Sequence, residues 1–202
     1  MTKCNIACYP ELAYEGHVRV SIARGKQIIK SYEYKNAGGP RLFNFLANCA
    51  AGNFFDNDRP TRIILFKSQQ EGDGTVYTPI STSSGLFYSS APIVIKNTVE
   101  EQRSGIFYQT TLHFTIPYYE IYENIVAGAR LYSANALSTA TFDQDDYSAA
   151  VIFDGGLELD PAGAQQNYML IIDWELQFKN LSGADTPAAE MSGGTGGAGG
   201  NS

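Results

Sequence analysis

The run YMLIIDWELQF, Tyr168 to Phe178, puts an apolar side chain at every even position: Tyr168, Leu170, Ile172, Trp174, Leu176 and Phe178. Asp173, Glu175 and Gln177 fall between them. A period of two sends one wall of a strand to a core and the other toward water. SGIFYQTTLHFTIP repeats the design, with Ile106, Tyr108, Leu112, Phe114 and Ile116 on one face and Gln109, Thr111, His113 and Thr115 on the other. Two such strands imply an antiparallel sheet with one dry face.

HVRVSIA alternates in the same way, and Arg24, Gly25 and Lys26 form a turn before QIIKSYEY, which predicts a first hairpin. In TRIILFK the apolar residues Ile63, Ile64, Leu65 and Phe66 are consecutive, the pattern of a central strand buried on both faces. Further strands are expected at Leu86 to Tyr88, Pro92 to Asn97, Ser104 to Ile116, Gly128 to Tyr132 and Ala149 to Phe153. Between Gly39 and Gly52, Leu42, Phe45, Leu46 and Cys49 recur at helical spacing behind Pro40, which predicts a short helix over 40–51. A helix of that length is marginal alone and must dock its apolar stripe on the sheet. The expected architecture is mainly β: an antiparallel, jelly-roll-like β-sandwich with one short helix, forming a single domain over 1–182. Residues 183–202, ending GGTGGAGGNS, have almost nothing apolar to offset their ordering entropy and are expected to be a flexible tail.

Composition restricts function. Aromatic residues make up 12% of the chain and charged residues only 17%, which suits packed strands and excludes a disordered protein. The net charge of −7, with Lys and Arg scattered, argues against direct contact with nucleic acid. No apolar run approaches the roughly 20 residues that span a bilayer, and MTKCNIACYPEL lacks the apolar stretch of an export signal. Cys4, Cys8 and Cys49 are odd in number and form no CxxC pair, which fits reduced thiols and synthesis in a cytoplasm.

The chemistry-bearing residues form no reaction centre in the sequence. His17 and His113 fall on polar strand faces, and Asp173 and Glu175 read as surface charges on one strand. Asp143, Asp145 and Asp146 form the densest acidic cluster, but an EF-hand is ruled out because Ser148 and Asp154 stand where Gly and Glu are needed. The spacing of Gly194, Gly196 and Gly199 matches a dinucleotide turn, yet no strand leads into it and no helix follows. No catalytic residue, metal ligand or cofactor is assigned. The patch IPYYEIY offers Tyr118, Tyr119 and Tyr122 as an interface, or as a sugar-stacking surface.

The order of KNAGGPRLFNFLANCAAGNF, PTRIILFK, PIVIKN, LHFTIP and the closing YMLIIDWELQFKN resembles small β-sandwich structural proteins of tailed bacteriophages. The resemblance covers Lys26 to Asn180 and concerns core strands and one helix, so it carries over no functional residue. It implies a non-enzymatic virion component, such as a head decoration, connector, tail or baseplate subunit. Such a subunit would be made in the host cytoplasm, and its partners would be other virion proteins and copies of itself. The alternative, from a different class, is a carbohydrate-binding module in which the three tyrosines stack on a glycan.

Overall fold

The computed structural model describes residues 12–53, 56–82, 85–86, 89–90, 96–102, 105–121, 125–137, 143–160 and 167–180. The expected tail over 183–202 lies outside them. The strands among the described residues are β1 (Leu12–Arg24), β2 (Gln27–Gly38), β3 (Pro60–Glu71), β4 (Gly74–Pro79), β5 (Ser81–Thr82), β6 (Gly85–Leu86), β7 (Ser89–Ser90), β8 (Lys96–Gln102), β9 (Gly105–Pro117), β10 (Ile125–Ser133), β11 (Ala149–Glu158) and β12 (Tyr168–Asn180). Helix α1 spans Pro40–Ala50, close to its expected 40–51, and one short turn of helix, α2, spans Ala134–Leu137.

All pairings among the described strands are antiparallel. One run of strands has the order β2-β1-β12-β9-β8, and the other has β4-β3-β10-β11, with β7 also on β3. Among the described residues the two runs join through two residue pairs, Ala37 with Ala150 and Gly38 with Ala149. Successive strand pairs alternate between the sheets: β1 and β2 in the first, β3 and β4 in the second, β8 and β9 in the first, β10 and β11 in the second. β12 then returns to lie between β1 and β9.

The period-two faces meet in one interior. Val18, Val20 and Ile22 of β1, Leu112, Phe114 and Ile116 of β9, and Leu170, Ile172, Trp174 and Leu176 of β12 pack against Ile63 and Leu65 of β3 and residues of β10 and β11. Register explains the meeting: Trp174 lies opposite Val18 on one side and Leu112 on the other, and Ile172 opposite Val20 and Phe114. This is a β-sandwich with its core between the sheets.

TRIILFK is buried on both sides, as its unbroken apolar run predicts. Ile63 and Leu65 face the main core, while Ile64 and Phe66 join Tyr132 and Ala136 in a second cluster on the outside of the second sheet. That cluster explains why β3 cannot alternate. In α1, Leu42 is buried and Phe45 and Leu46 are half-buried, so the helix docks by part of its expected stripe.

The polar wall of the first sheet is organised as well. Glu33, Arg19, Asp173 and His113 stand side by side across β2, β1, β12 and β9, alternating acid and base. The Arg19 guanidinium donates to Glu33 at 3.0 and 3.1 Å. Both side chains are largely exposed, so the pair contributes about 0–1 kcal/mol and acts chiefly to fix register.

Leu176 is 5% exposed within the main core. Leu176→Ala is expected to lower stability by about 2–5 kcal/mol. Urea unfolding will read this as a lower midpoint at an unchanged slope; an unaltered midpoint would refute the face assignment.

Candidate functional site

The tyrosines singled out in the sequence separate in space. Tyr118 and Tyr119 sit in a short 3₁₀ turn, Tyr118–Glu120, directly after Pro117 ends β9. Tyr118 turns inward: it is 4% exposed and meets Tyr168 edge to face, with ring centroids 5.8 Å apart. Its hydroxyl is buried without a hydrogen-bond partner among the described residues. Burial pushes its pKa well above the usual value, helped by neighbouring Tyr32, Tyr168 and Asp160. Tyr119 points outward at 65% exposure, and Tyr122 lies outside the described residues. Tyr118 is therefore a core residue, and Tyr119 alone of these two is available to a partner.

The acidic loop is held by cations of the protein itself. The Asp145 amide donates to Asp143 Oδ1 at 2.8 Å, a local turn that aspartate favours. Asp145 pairs with Arg130 at 3.3 Å and Asp146 with Arg41 at 3.3 Å. The loop's backbone is fastened too: Ser148 N–H donates to Leu131 O, and Gly39 N–H to Ser148 O, each at 2.7 Å. Gly39 has to be glycine here, since a Cβ would lie 2.3 Å from the Tyr147 carbonyl oxygen.

Arg130 is the centre of this region. Its guanidinium carbon lies 4.7 Å from the Phe66 ring centre and 4.8 Å from that of Tyr147, within cation–π range of both. One guanidinium nitrogen also donates to Gln144 O at 2.6 Å, an oxygen that accepts the Tyr132 hydroxyl at 2.7 Å as well. Burial raises the Tyr132 pKa, with Arg130 pulling in the opposite direction. Arg130 thus covers Phe66, ties down the loop and satisfies its carbonyl.

Beside Arg130 a groove of about 490 Å³ opens on the outside of the second sheet. Its floor is made of small residues in neighbouring strands: Arg130 lies opposite Ala150, Ala150 opposite Ala37, and Gly128 opposite Ile152. Tyr77, Tyr147 and Lys35 stand around it. Gly128 is required by close backbone approach, since a Cβ there would meet Val151 O at 2.6 Å. The groove lies where β2 and β11 part company beyond their two shared pairs.

His113 and Asp173 form a pair that strand spacing alone does not disclose. Cross-strand register places them opposite each other, with Nδ1 2.6 Å from Asp173 Oδ1, and Thr115 Oγ1 3.2 Å from Nε2. The order of hydroxyl, imidazole and carboxylate is that of a hydrolytic triad. Here, however, it lies on the outward face of a sheet, with 49% of the histidine side chain in solvent. A triad depends on a water-excluded site and an oxyanion pocket. The cluster is better described as a cross-strand clamp. His17, 3.6 Å from Glu15, is likewise a surface residue.

Comparisons with protein-family models, with curated proteins and with solved structures find no match to this chain. Among the described residues no helix is long and apolar enough to cross a membrane.

Two outcomes follow from the buried groups. A tyrosine whose folded pKa is raised stays protonated when the unfolded chain begins to ionise near pH 10, so its contribution is complete below about pH 10 and is lost as pH rises beyond it. Melting temperature should therefore fall above about pH 10, and Tyr118→Phe, which removes a partnerless hydroxyl, should soften the fall without destabilising the protein at neutral pH. Arg130→Ala should cost about 1–2 kcal/mol through lost ring packing, and Arg130→Lys should restore only part of it. Chemical denaturation of the three proteins tests this.

Proposed function

We propose that this protein is a non-enzymatic structural subunit of a bacteriophage particle, working through oligomeric assembly. The phage assignment rests on the resemblance of Lys26 to Asn180 to virion β-sandwich proteins. The assembly role is supported by the surface.

Two hairpins carry exposed apolar residues at their outer ends. In the first, β2 is exposed from Gln27 to Ser31, with Ile28 and Ile29 at 59% and 43%. In the second, the residues from Ser68 through Val76 are exposed. Each turns through a glycine in the left-handed region, Gly25 at φ 60° and Gly72 at φ 61°, which a two-residue loop of this kind demands. Phe43 on α1 and Tyr119 add further exposed apolar area, at 55% and 65%. Side chains of this type at exposed positions form the anchors of protein interfaces.

The observation that carries the reading is the exposed pair Ile28 and Ile29 on β2, a strand that, among the described residues, pairs on its side away from β1 only at Ala37 and Gly38. The carbohydrate alternative loses weight, because Tyr118 is packed inside and cannot offer its ring to a glycan.

Quantitative mass spectrometry of purified particles from the source phage is expected to find the chain at stoichiometric level. Its absence from particles would overturn the proposal. Tyr119→Ala should weaken attachment or assembly while leaving the unfolding midpoint in place.

A further inference from the structure

Antiparallel pairing fixes which strand ends lie together. From the pairs that join the sheets, β2 running back to Gln27 and β11 running on to Glu158 head the same way. In the first sheet the β1–β2 turn at Gly25 shares this end with Tyr168 and Pro117, because Arg24 pairs with Tyr168 and Met169 with both Ala23 and Pro117. In the second sheet β3 runs alongside β11, each antiparallel to β10, so the β3–β4 turn at Gly72 lies at the same end as Ile125 and Glu158. The two sheet ends meet: Asp160, just past β11, is near enough to Tyr118, just past β9, to help raise its pKa.

This end of the sandwich gathers exposed apolar side chains. Ile28, Ile29 and Tyr119 stand at the end of the first sheet, and Val76 and Ile125 at the end of the second. Of the large apolar side chains exposed among the described residues, only Phe43 and Ile152 lie elsewhere. Charge is segregated on the same surface. The first sheet's end presents Arg24, Lys26 and Lys30, all exposed, with Glu120 beside Tyr119 as its one acid among the described residues. The second presents Glu71, Asp73 and Glu158, also exposed, with Lys67 set back along β3 and Asp160 between the two ends. Single exposed apolar residues are ordinary on a surface, whereas a gathering of them marks an interaction site.

Resting on the assembly reading above, we infer that this end of the sandwich binds the same end of a second copy, the turn Arg24–Gly25–Lys26 of each lying against the turn Glu71–Gly72–Asp73 of the other. The surface complementary to the basic turn is supplied by the chain itself. Two turns at one end of a molecule are exchanged by a two-fold axis that crosses the strands between them, so both contacts form at once and the interface closes on itself. Cation meets acid twice, which fixes the orientation of the two copies. A two-fold along the line joining the turns would set cation against cation and acid against acid, and is disfavoured. Ile28 and Ile29, next to the basic turn, and Val76, next to the acidic one, are brought together between the copies and leave water.

The test uses the full chain. Sedimentation velocity across a concentration series should show a dimer. Lys26→Glu and Asp73→Lys should each raise its dissociation constant about tenfold or more. Both positions are exposed, so the urea midpoint of each variant should stay in place. Mixed one to one, the two variants should recover the dimer, since each reversed charge then faces its opposite, and a chain carrying both changes should dimerise by itself. A wild-type monomer at every concentration, a dimer indifferent to either reversal, or a mixture that fails to recover it would each overturn the contact. In that case a chain stoichiometric in particles would leave the assembly role standing. Absence from particles beside a dimer that obeys the charge reversals would remove the phage assignment and keep the contact.

Discussion

The contact of two period-two faces around Trp174 is the constraint on which the rest of the molecule depends. Trp174 is fully buried, with Val18 and Leu112 on either side in its own sheet. Burial of large apolar side chains supplies the main favourable free energy of folding. Once that wall is dry, the register of β1, β12 and β9 follows, because a slip of one residue would turn Asp173 and Glu175 inward. The ladder of Glu33, Arg19, Asp173 and His113 is the outward counterpart of the same register.

Much of this was legible in the sequence, and the exceptions have physical causes. The strands around Leu112 and Trp174, the first hairpin and the doubly buried TRIILFK all show in local pattern. β4 did not, since TVYTP lies mostly on an exposed hairpin and buries too little to alternate. Of the strand expected at Pro92 to Asn97, residues 92–95 lie outside the described residues; β8 covers Lys96–Gln102, a polar sequence ordered by pairing with β9 rather than by an apolar face of its own. Tyr118 looked like part of a surface patch because its inward turn depends on Tyr168, far along the chain. The same distance hides Arg130, whose ring partners Phe66 and Tyr147 come from two other segments.

The acidic loop illustrates how tertiary context assigns a role. Asp143, Asp145 and Asp146 in isolation suggest cation binding, and the cations that Asp145 and Asp146 meet are guanidinium groups. Arg41 comes from α1 and Arg130 from β10, so the loop joins the helix to the outer face of the second sheet. A cluster of like charge is tolerated where opposite charge is brought to it by the fold.

The place of β12 has a consequence for synthesis. It is the last of the described strands in chain order and the middle strand of its sheet, bonded to β1 from Leu12 to Arg24 and to β9 from Phe107 to Pro117. As the chain leaves the ribosome, β1 and β9 must wait, each with an open side and an apolar face, until the residues up to Asn180 have been made. Contacts between sequence-distant segments form slowly. The nascent chain is thus most vulnerable to association with its neighbours until β12 has emerged, and closure by β12 converts that exposure into the finished sheet.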